Sequence, residues 1–384
     1  MKRTAITAES IIDGSRVIRR PVVVLEDGRV ASVFSRDEAE LPCDAEIRDF
    51  PGATLAPAFL DVHIHGAAGH DVMDAAPDFP AAMGRFLASR GTGAYLATTV
   101  TAPMDRTLKA VSSLARVISE GPAAGQARPV GIHLEGPFLS REKCGVQPPE
   151  HLLEPDIATF DRLFEAAEGR VRLMTLAPEL PGAEELTVHA RSRGVRVSLG
   201  HSNATAAQTR AAIAVGATSA THTFNAMRAL DHREPGILGV TLTDDKLYAE
   251  LICDGIHNAP EMVRLWWRAK GAEHAILVTD GISATGMPDG EYVLGGFPVQ
   301  VADGRATARG VLAGSVLTLD RALLNFVRFT GASVEQGLRL MTANPAEMLG
   351  IGDGALAVGQ PASLVAVGAD GRLMASIVNG ERVV

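Results

Sequence analysis

Two histidines one residue apart, His63 and His65, close the apolar run Phe59-Leu60-Asp61-Val62 and are followed by Gly66. In an extended strand the side chains at i and i+2 share a face, so both imidazoles project together from the strand's end. Neutral imidazole is the commonest protein ligand for metals, and two on one face make half of a divalent site. An isolated His-x-His pair carries little weight. Residues far away in the sequence that also close apolar segments add to it: Glu135 in His133-Leu134-Glu135-Gly136-Pro137, His201 in Gly200-His201-Ser202, His222 in Thr221-His222-Thr223 and Asp280 in Thr279-Asp280-Gly281. Imidazoles and carboxylates without thiolates favour Zn2+, with Fe2+, Mn2+ or Co2+ as alternatives. Such an ion, held with one open position, lowers the pKa of its water towards ~7 and polarises a carbonyl. Asp280 is then a candidate ligand and also the candidate acid/base that takes a proton from water and returns it to a leaving amine.

The other histidines fit ordinary roles. His70, His151, His189, His232 and His274 fall in loops or helical patterns and read as solvated or capping groups. His133 alternates with Glu135 and suits either a core position or support of the site.

These groups meet only if the fold gathers them. Strand-like segments at 59–63, 94–99, 130–135, 171–177, 195–200, 218–222, 247–253 and 275–279 alternate with helical patterns such as 80–90, 104–120, 156–168, 183–193 and 204–215. That alternation predicts an α/β fold, a (β/α)8 TIM barrel, whose parallel strands end on one shared face. A doubly wound sheet would favour a glycine-rich nucleotide loop after an early strand, and none is present. The N-terminal segments 22–25 and 29–34 flank Asp27-Gly28, a hairpin signal. The C-terminus repeats that texture at 363–367 and 373–378, with turns at Asp370-Gly371 and Asn379-Gly380. Each half is too small to stand alone, so the two are expected to form one small β-sandwich domain. The expected organisation is residues 1–55 and 350–384 for that domain and 56–349 for the barrel, with a β insertion near 294–309.

Composition narrows the function. With 384 residues, 46% of them hydrophobic and 21% charged, the chain can bury a large core. A net charge of −9 and a pI near 5.7 argue against nucleic acid as a partner. Three scattered cysteines form no CxxC pair, as expected in a reducing compartment. No apolar stretch follows Met1-Lys2-Arg3, and none approaches the ~20 residues of a membrane span. A cytoplasmic protein without membrane contact is the expectation.

The segments HIHG, HLEGPF, GHSNAT, THTFNAM, REPG, DGIHNAP, VTDGISATG, LAGSVLTLDRAL and NPAEMLG, in this order, resemble the amidohydrolase superfamily and, within it, the N-acetylglucosamine-6-phosphate deacetylases. The similarity runs from about residue 50 to 350. It implies a divalent-metal hydrolase that releases acetate from N-acetyl-D-glucosamine 6-phosphate. By that resemblance Glu135, His201 and His222 match the main metal site, His63 and His65 match a second site bridged by Glu135, and Asp280 matches the acid/base. Asn225, the Ala226 amide, Arg233 and His257 match the positions that hold the sugar phosphate. Arg233 is implied to reach across the interface of a homodimer; a guanidinium fork suits phosphate oxygens. Gln147 departs from the pattern, because many members carry a histidine there. It can still hydrogen-bond a hydroxyl or carbonyl, which leaves an N-acetylhexosamine 6-phosphate of galacto configuration as an alternative substrate. Cys144, on the same loop, is expected to be a bystander. No lysine lies in 171–177 to be carboxylated, which argues against a hydantoinase or dihydroorotase. A metal-binding sugar-phosphate sensor without activity is the alternative from another class, and the complete ligand set with Asp280 argues against it.

Overall fold

The computed structural model describes residues 2–74 and 79–384. Met1, where the expected N-terminal segment begins, and residues 75–78 lie outside the described residues. Eight strands form one parallel sheet in chain order: β1 (Phe59–Ile64), β2 (Thr92–Thr99), β3 (Arg128–Glu135), β4 (Val171–Leu176), β5 (Arg196–Leu199), β6 (Ser219–Ala220), β7 (Tyr248–Ile252) and β8 (Ala275–Val278). All eight were expected from the sequence, and nearly every residue in them is buried. A strand covered on both faces needs predominantly apolar character, which most of these positions have, apart from groups such as Asp61 and Glu250. β6 is shorter than expected. After Ala220 the chain turns to place His222, and the Thr223 amide donates to the Glu250 carbonyl at 2.8 Å.

The sheet curls into a barrel whose seam lies between β8 and β1. Past the end of β8, the Asp280 amide donates to the His63 carbonyl at 2.8 Å and the His65 amide to the Gly281 carbonyl at 2.7 Å. Lower down, residues 340–341 fill the seam, with Leu60 N donating to Met341 O and Leu277 N to Leu340 O. A buried side-chain bond joins the two sides: Thr279 Oγ1 donates to Asp61 Oδ2 at 2.6 Å. The seam therefore fixes His63, His65 and Asp280 against one another.

Helices cover the barrel. In Met104–Glu120 the buried positions are Thr107, Ala110, Val111, Leu114 and Ala115, an i, i+3, i+4 stripe that packs on the sheet. Ala206–Val215 starts two residues later than the pattern suggested, because Thr205 and Gln208 form a capping box, and Gly216 ends it in the left-handed conformation. Likewise Asp156 caps Ile157–Ala166 through the Thr159 amide.

After β8, four antiparallel strands, Gly290–Leu294, Phe297–Ala302, Arg305–Ala308 and Val311–Leu312, form the expected insertion, somewhat longer than 294–309. Leu294, Phe297 and Val299 pack with Val100, Ile282 and Ala284, so the insertion sits on the face where the strands end.

The two chain termini build the small β domain together. Leu364–Val367 pairs antiparallel with Glu46–Pro57, with Leu364 opposite Pro57 and Val367 opposite Thr54. Ile6, Val23 and Leu55 share one core with Leu364, Ala375 and Ile377. Asp27-Gly28 forms the expected hairpin turn, with positive φ at both residues (47° and 78°) as a type I′ turn requires. Among the described residues, no helix is long and apolar enough to cross a membrane.

The Asp61–Thr279 bond makes the seam testable. Thr279→Val leaves the buried Asp61 Oδ2 without this donor, while Oδ1 keeps its two backbone amides, and it removes the bond from the Gly281 amide to Thr279 Oγ1. The expected loss is about 1–3 kcal/mol, read as a lower midpoint in thermal or urea unfolding. An unchanged midpoint would show that barrel closure does not depend on this contact.

Candidate metal centre

The carboxyl ends of the strands bring the six candidate ligands to one place. They form two triads, Glu135 with His201 and His222, and His63 with His65 and Asp280, with the ligand atoms of each triad within 4.8 Å of one another. All six residues are buried. Glu135 lies between the triads. Its Oε1 is 3.1 Å from both His201 Nε2 and His222 Nε2, and its Oε2 is 3.4 Å from His65 Nε2. Asp280 Oδ1 is 3.1 Å from His65 Nε2 and 3.5 Å from His63 Nε2. His201, His222 and Asp280 have positive φ values of 45°, 29° and 51°, which cost of order 1–3 kcal/mol each for such residues. The backbone is bent into costly shapes where the side chains must converge. Gly314 (φ 59°) packs on Asp280: a Cβ there would lie 2.8 Å from the Asp280 carbonyl oxygen and 2.5 Å from Ile282, which accounts for the glycine of LAGSV.

The hydrogen-bond partners behind the rings decide what these atoms can do. His65 Nδ1 lies 2.9 Å from the Thr98 carbonyl and His201 Nδ1 2.9 Å from the Lys143 carbonyl. A carbonyl only accepts, so the proton of each neutral ring is on Nδ1 and Nε2 presents a lone pair. His63 Nδ1 faces the Glu250 carboxylate at 3.3 Å, with the same result. Several nitrogen lone pairs and two carboxylates thus point at one another without a donor, and Nε2 of His201 and His222 are only 3.1 Å apart. Only a cation relieves this arrangement, either protons or a metal. The donor set of imidazole and carboxylate fits a divalent ion.

The charges and burial around these groups express the same imbalance. Burial depresses the pKa of His65, yet hydrogen bonds to Asp280 and Glu135 and their charge raise it to about 9. For His63, burial is outweighed by the charges of Glu135 and Asp280, and its pKa rises well above the usual imidazole value. Burial pushes Asp280 up, but the His63 charge and the His65 contacts hold it down at about 2. With positive charge on the facing rings Asp280 is a carboxylate.

A profile of the Amidohydrolase family matches residues 54–383. The chain belongs to the amidohydrolase family. It is 40% identical over 346 residues to the N-acetylgalactosamine-6-phosphate deacetylase of Escherichia coli O157:H7, covering 89% of each chain. It is 35% identical over 376 residues to the N-acetylglucosamine-6-phosphate deacetylase of Bacillus subtilis (strain 168), covering 97% of this chain and 94% of that one. Among solved structures it is similar to an aspartate-to-alanine mutant of the N-acetyl-D-glucosamine-6-phosphate deacetylase of Mycobacterium smegmatis, in complex with N-acetyl-D-glucosamine 6-phosphate, with a TM-score of 0.92, 36% identity and full coverage of both chains.

A cavity of about 210 Å3 opens above the amidohydrolase centre. Asn225, Ala226, His257 and Gln147 line it beside the ligands, and the insertion supplies Leu294, Val311 and Leu312 as a wall. Gln147 has a more definite place than a hydroxyl contact. The Thr101 amide donates to its Oε1 at 2.7 Å, which turns its NH2 group to donate to Glu135 Oε2 at 2.7 Å. Both ends of its amide are thereby engaged in orienting Glu135. Arg233 is exposed and does not line this cavity. Among the described residues its side chain forms no ion pair. Cys144 is partly exposed, its thiol 3.7 Å from the Gly145 carbonyl.

Sequence reasoning passed over Asp61 and Glu250, each a carboxylate inside an otherwise apolar strand. Burial raises Asp61 to about 7 against three hydrogen bonds that favour its charged form. That charge within an apolar run was the available signal. His133 donates or accepts at Thr175 Oγ1 (2.8 Å), its ring edge-on to His63. Burial holds its pKa well below the ordinary value, so it is neutral. His189 pairs with Asp161 on the helical surface.

His257 is poised differently. Asp254, fixed by the amides of Ile256 and His257, has Oδ2 2.7 Å from His257 Nδ1. Burial lowers the His257 pKa, but the Asp254 bond and charge outweigh it and raise it. Its imidazolium therefore persists to higher pH than in water and is lost only as pH rises through the raised value. In Asp254→Asn the NMR titration midpoint of His257 is expected at lower pH; an unmoved midpoint would contradict this pairing.

Proposed function

We propose that the chain hydrolyses the acetamide of N-acetyl-D-glucosamine 6-phosphate to D-glucosamine 6-phosphate and acetate. The observation that carries this reading is the Asp280 carboxyl group at a cavity floored by two convergent ligand triads, in a chain whose relatives are named as deacetylases of amino-sugar phosphates. In this reading Glu135, His201 and His222 would hold one divalent ion and His63, His65 and Asp280 a second, with Glu135 shared. Zn2+ suits the donors best, with Fe2+, Mn2+ and Co2+ close behind. When bound, the ion supplies Lewis acidity towards the amide carbonyl and makes water nucleophilic at neutral pH. The protein's own part follows from geometry. Asp280 accepts the proton that water gives up as it adds to the carbonyl carbon, then delivers it to the amide nitrogen as the C–N bond breaks, so that a neutral amine departs and acetic acid is left. The acid then passes its remaining proton to the amine through solvent, giving acetate and the ammonium form of the product. His257, oriented by its bond to Asp254, presents its other ring nitrogen, which as N–H favours an anionic oxygen of the substrate, and Asn225 with the Ala226 amide borders the same space.

Among the described residues the cavity lining contains no lysine or arginine, so a guanidinium fork for the phosphate dianion must come from elsewhere. Exposed Arg233 supplies it in a homodimer, reaching the neighbouring protomer's cavity. Catalysis then resides in residues 56–349, with 1–55 and 350–384 as the small β domain. Three unpaired cysteines support a cytoplasmic setting.

A second reading is the galacto epimer as substrate. The relative named as an N-acetylgalactosamine-6-phosphate deacetylase favours it, as does Gln147, which lines the cavity where many family members carry a histidine.

Steady-state acetate release from the two epimers tests both readings. The first expects the larger kcat/KM with the gluco epimer, and activity abolished by a chelator and restored by Zn2+. In Asp280→Asn turnover is expected to fall by about 10²–10⁴-fold with substrate still bound, and near-normal turnover would refute the proton transfer. In Arg233→Ala a loss confined to the phosphorylated substrate is expected, and an equal loss with free N-acetylglucosamine would refute the phosphate assignment.

A further inference from the structure

Glu250 lies in the middle of β7, wholly buried. Its Oε2 is 3.3 Å from His63 Nδ1 and 3.4 Å from the His222 amide nitrogen, which donates to it. Among the described residues no lysine or arginine pairs with it, and its Oε1 is buried without a hydrogen-bond partner. An ionised carboxylate so placed is costly unless positive charge lies nearby. Among the described residues the titratable group that Glu250 Oε2 meets is His63, whose opposite nitrogen, Nε2, lies 3.3 Å from His65 Nε2 and 3.4 Å from Glu135 Oε1.

We infer that Glu250 is a positioning residue that holds His63 by its Nδ1 proton, aims Nε2 into the His63–His65–Asp280 triad and thereby sets that triad's affinity for a divalent ion. This rests on the metal reading above. A carboxylate behind a ligand histidine fixes the tautomer and strengthens the ring as a donor, and losing such a partner costs about 10–100-fold in metal affinity. Glu250 also spans the two triads: its side chain backs His63, and its oxygen receives the backbone of His222. A charge on this strand therefore serves the second ion mainly through His63, while the first ion, among Glu135, His201 and His222, depends on it only through one backbone bond.

Calorimetric titration of the metal-free protein with Zn2+ tests this. The wild type is expected to bind two ions per chain. Glu250→Gln retains an acceptor for both bonds but removes the charge; it is expected to weaken one binding event by about 10–100-fold and leave the other within about threefold. His63→Asn is expected to weaken the same event, and the double variant to add no further loss, because Glu250 acts through that ring. Unchanged affinities in Glu250→Gln, equal weakening of both events, or an additive double variant would overturn the inference. So would a wild type that binds a single ion, which leaves the deacetylase reading standing on one metal. A wild type that binds none would refute the metal reading itself and this inference with it.

Discussion

Nitrogen lone pairs and carboxylate oxygens at the mouth of the barrel repel one another unless positive charge lies between them. Carbonyls and a carboxylate behind the rings hold the Nδ1 protons of His63, His65 and His201 outward, so the inward atoms have nothing to donate. Glu135, Asp280 and Glu250 add three carboxylates in the same buried volume. Protons can balance part of this, as the raised pKa values of His63 and His65 record. A divalent ion balances more, because each donor keeps its lone pair and points it at the same charge. The architecture of the site follows from that demand.

The barrel meets the demand by placing every strand end on one face and closing its seam at the site itself. Asp280 and His63 are joined through the backbone across the seam, and Asp61 and Thr279 lock the turn beneath them. The cost is visible in the left-handed backbone of three ligands and in the buried acids. Stability is given up where function needs fixed, repelling groups, and the apolar strands and helix stripes around them supply the compensation.

Much of this was legible in the sequence. Largely apolar strands alternating with periodic helices specify a barrel, and a barrel dictates that residues at strand ends meet; from these two facts His63, Glu135, His201, His222 and Asp280 could be grouped although they lie far apart in the chain. Other features were not legible. The amide of Gln147 lies against Glu135 because of a single backbone donor, Thr101 N, and contacts set by loop geometry leave no periodic trace. The insertion was expected from its turn residues, but its use as a cavity wall depends on how it folds back. Glu250 is the instructive case, since a carboxylate within an apolar strand signals burial of charge, while the ring it would support is known only once β7 and β1 are placed around the barrel.

The measurement that bears most directly on the central claim is anomalous X-ray scattering at the zinc edge from crystals of the protein grown with Zn2+. The account predicts a peak among Glu135, His201 and His222 and another among His63, His65 and Asp280, with Nε2 of each histidine facing the ion. Crystals with no peak at either place, and the same side chains held instead by protons alone, would contradict it.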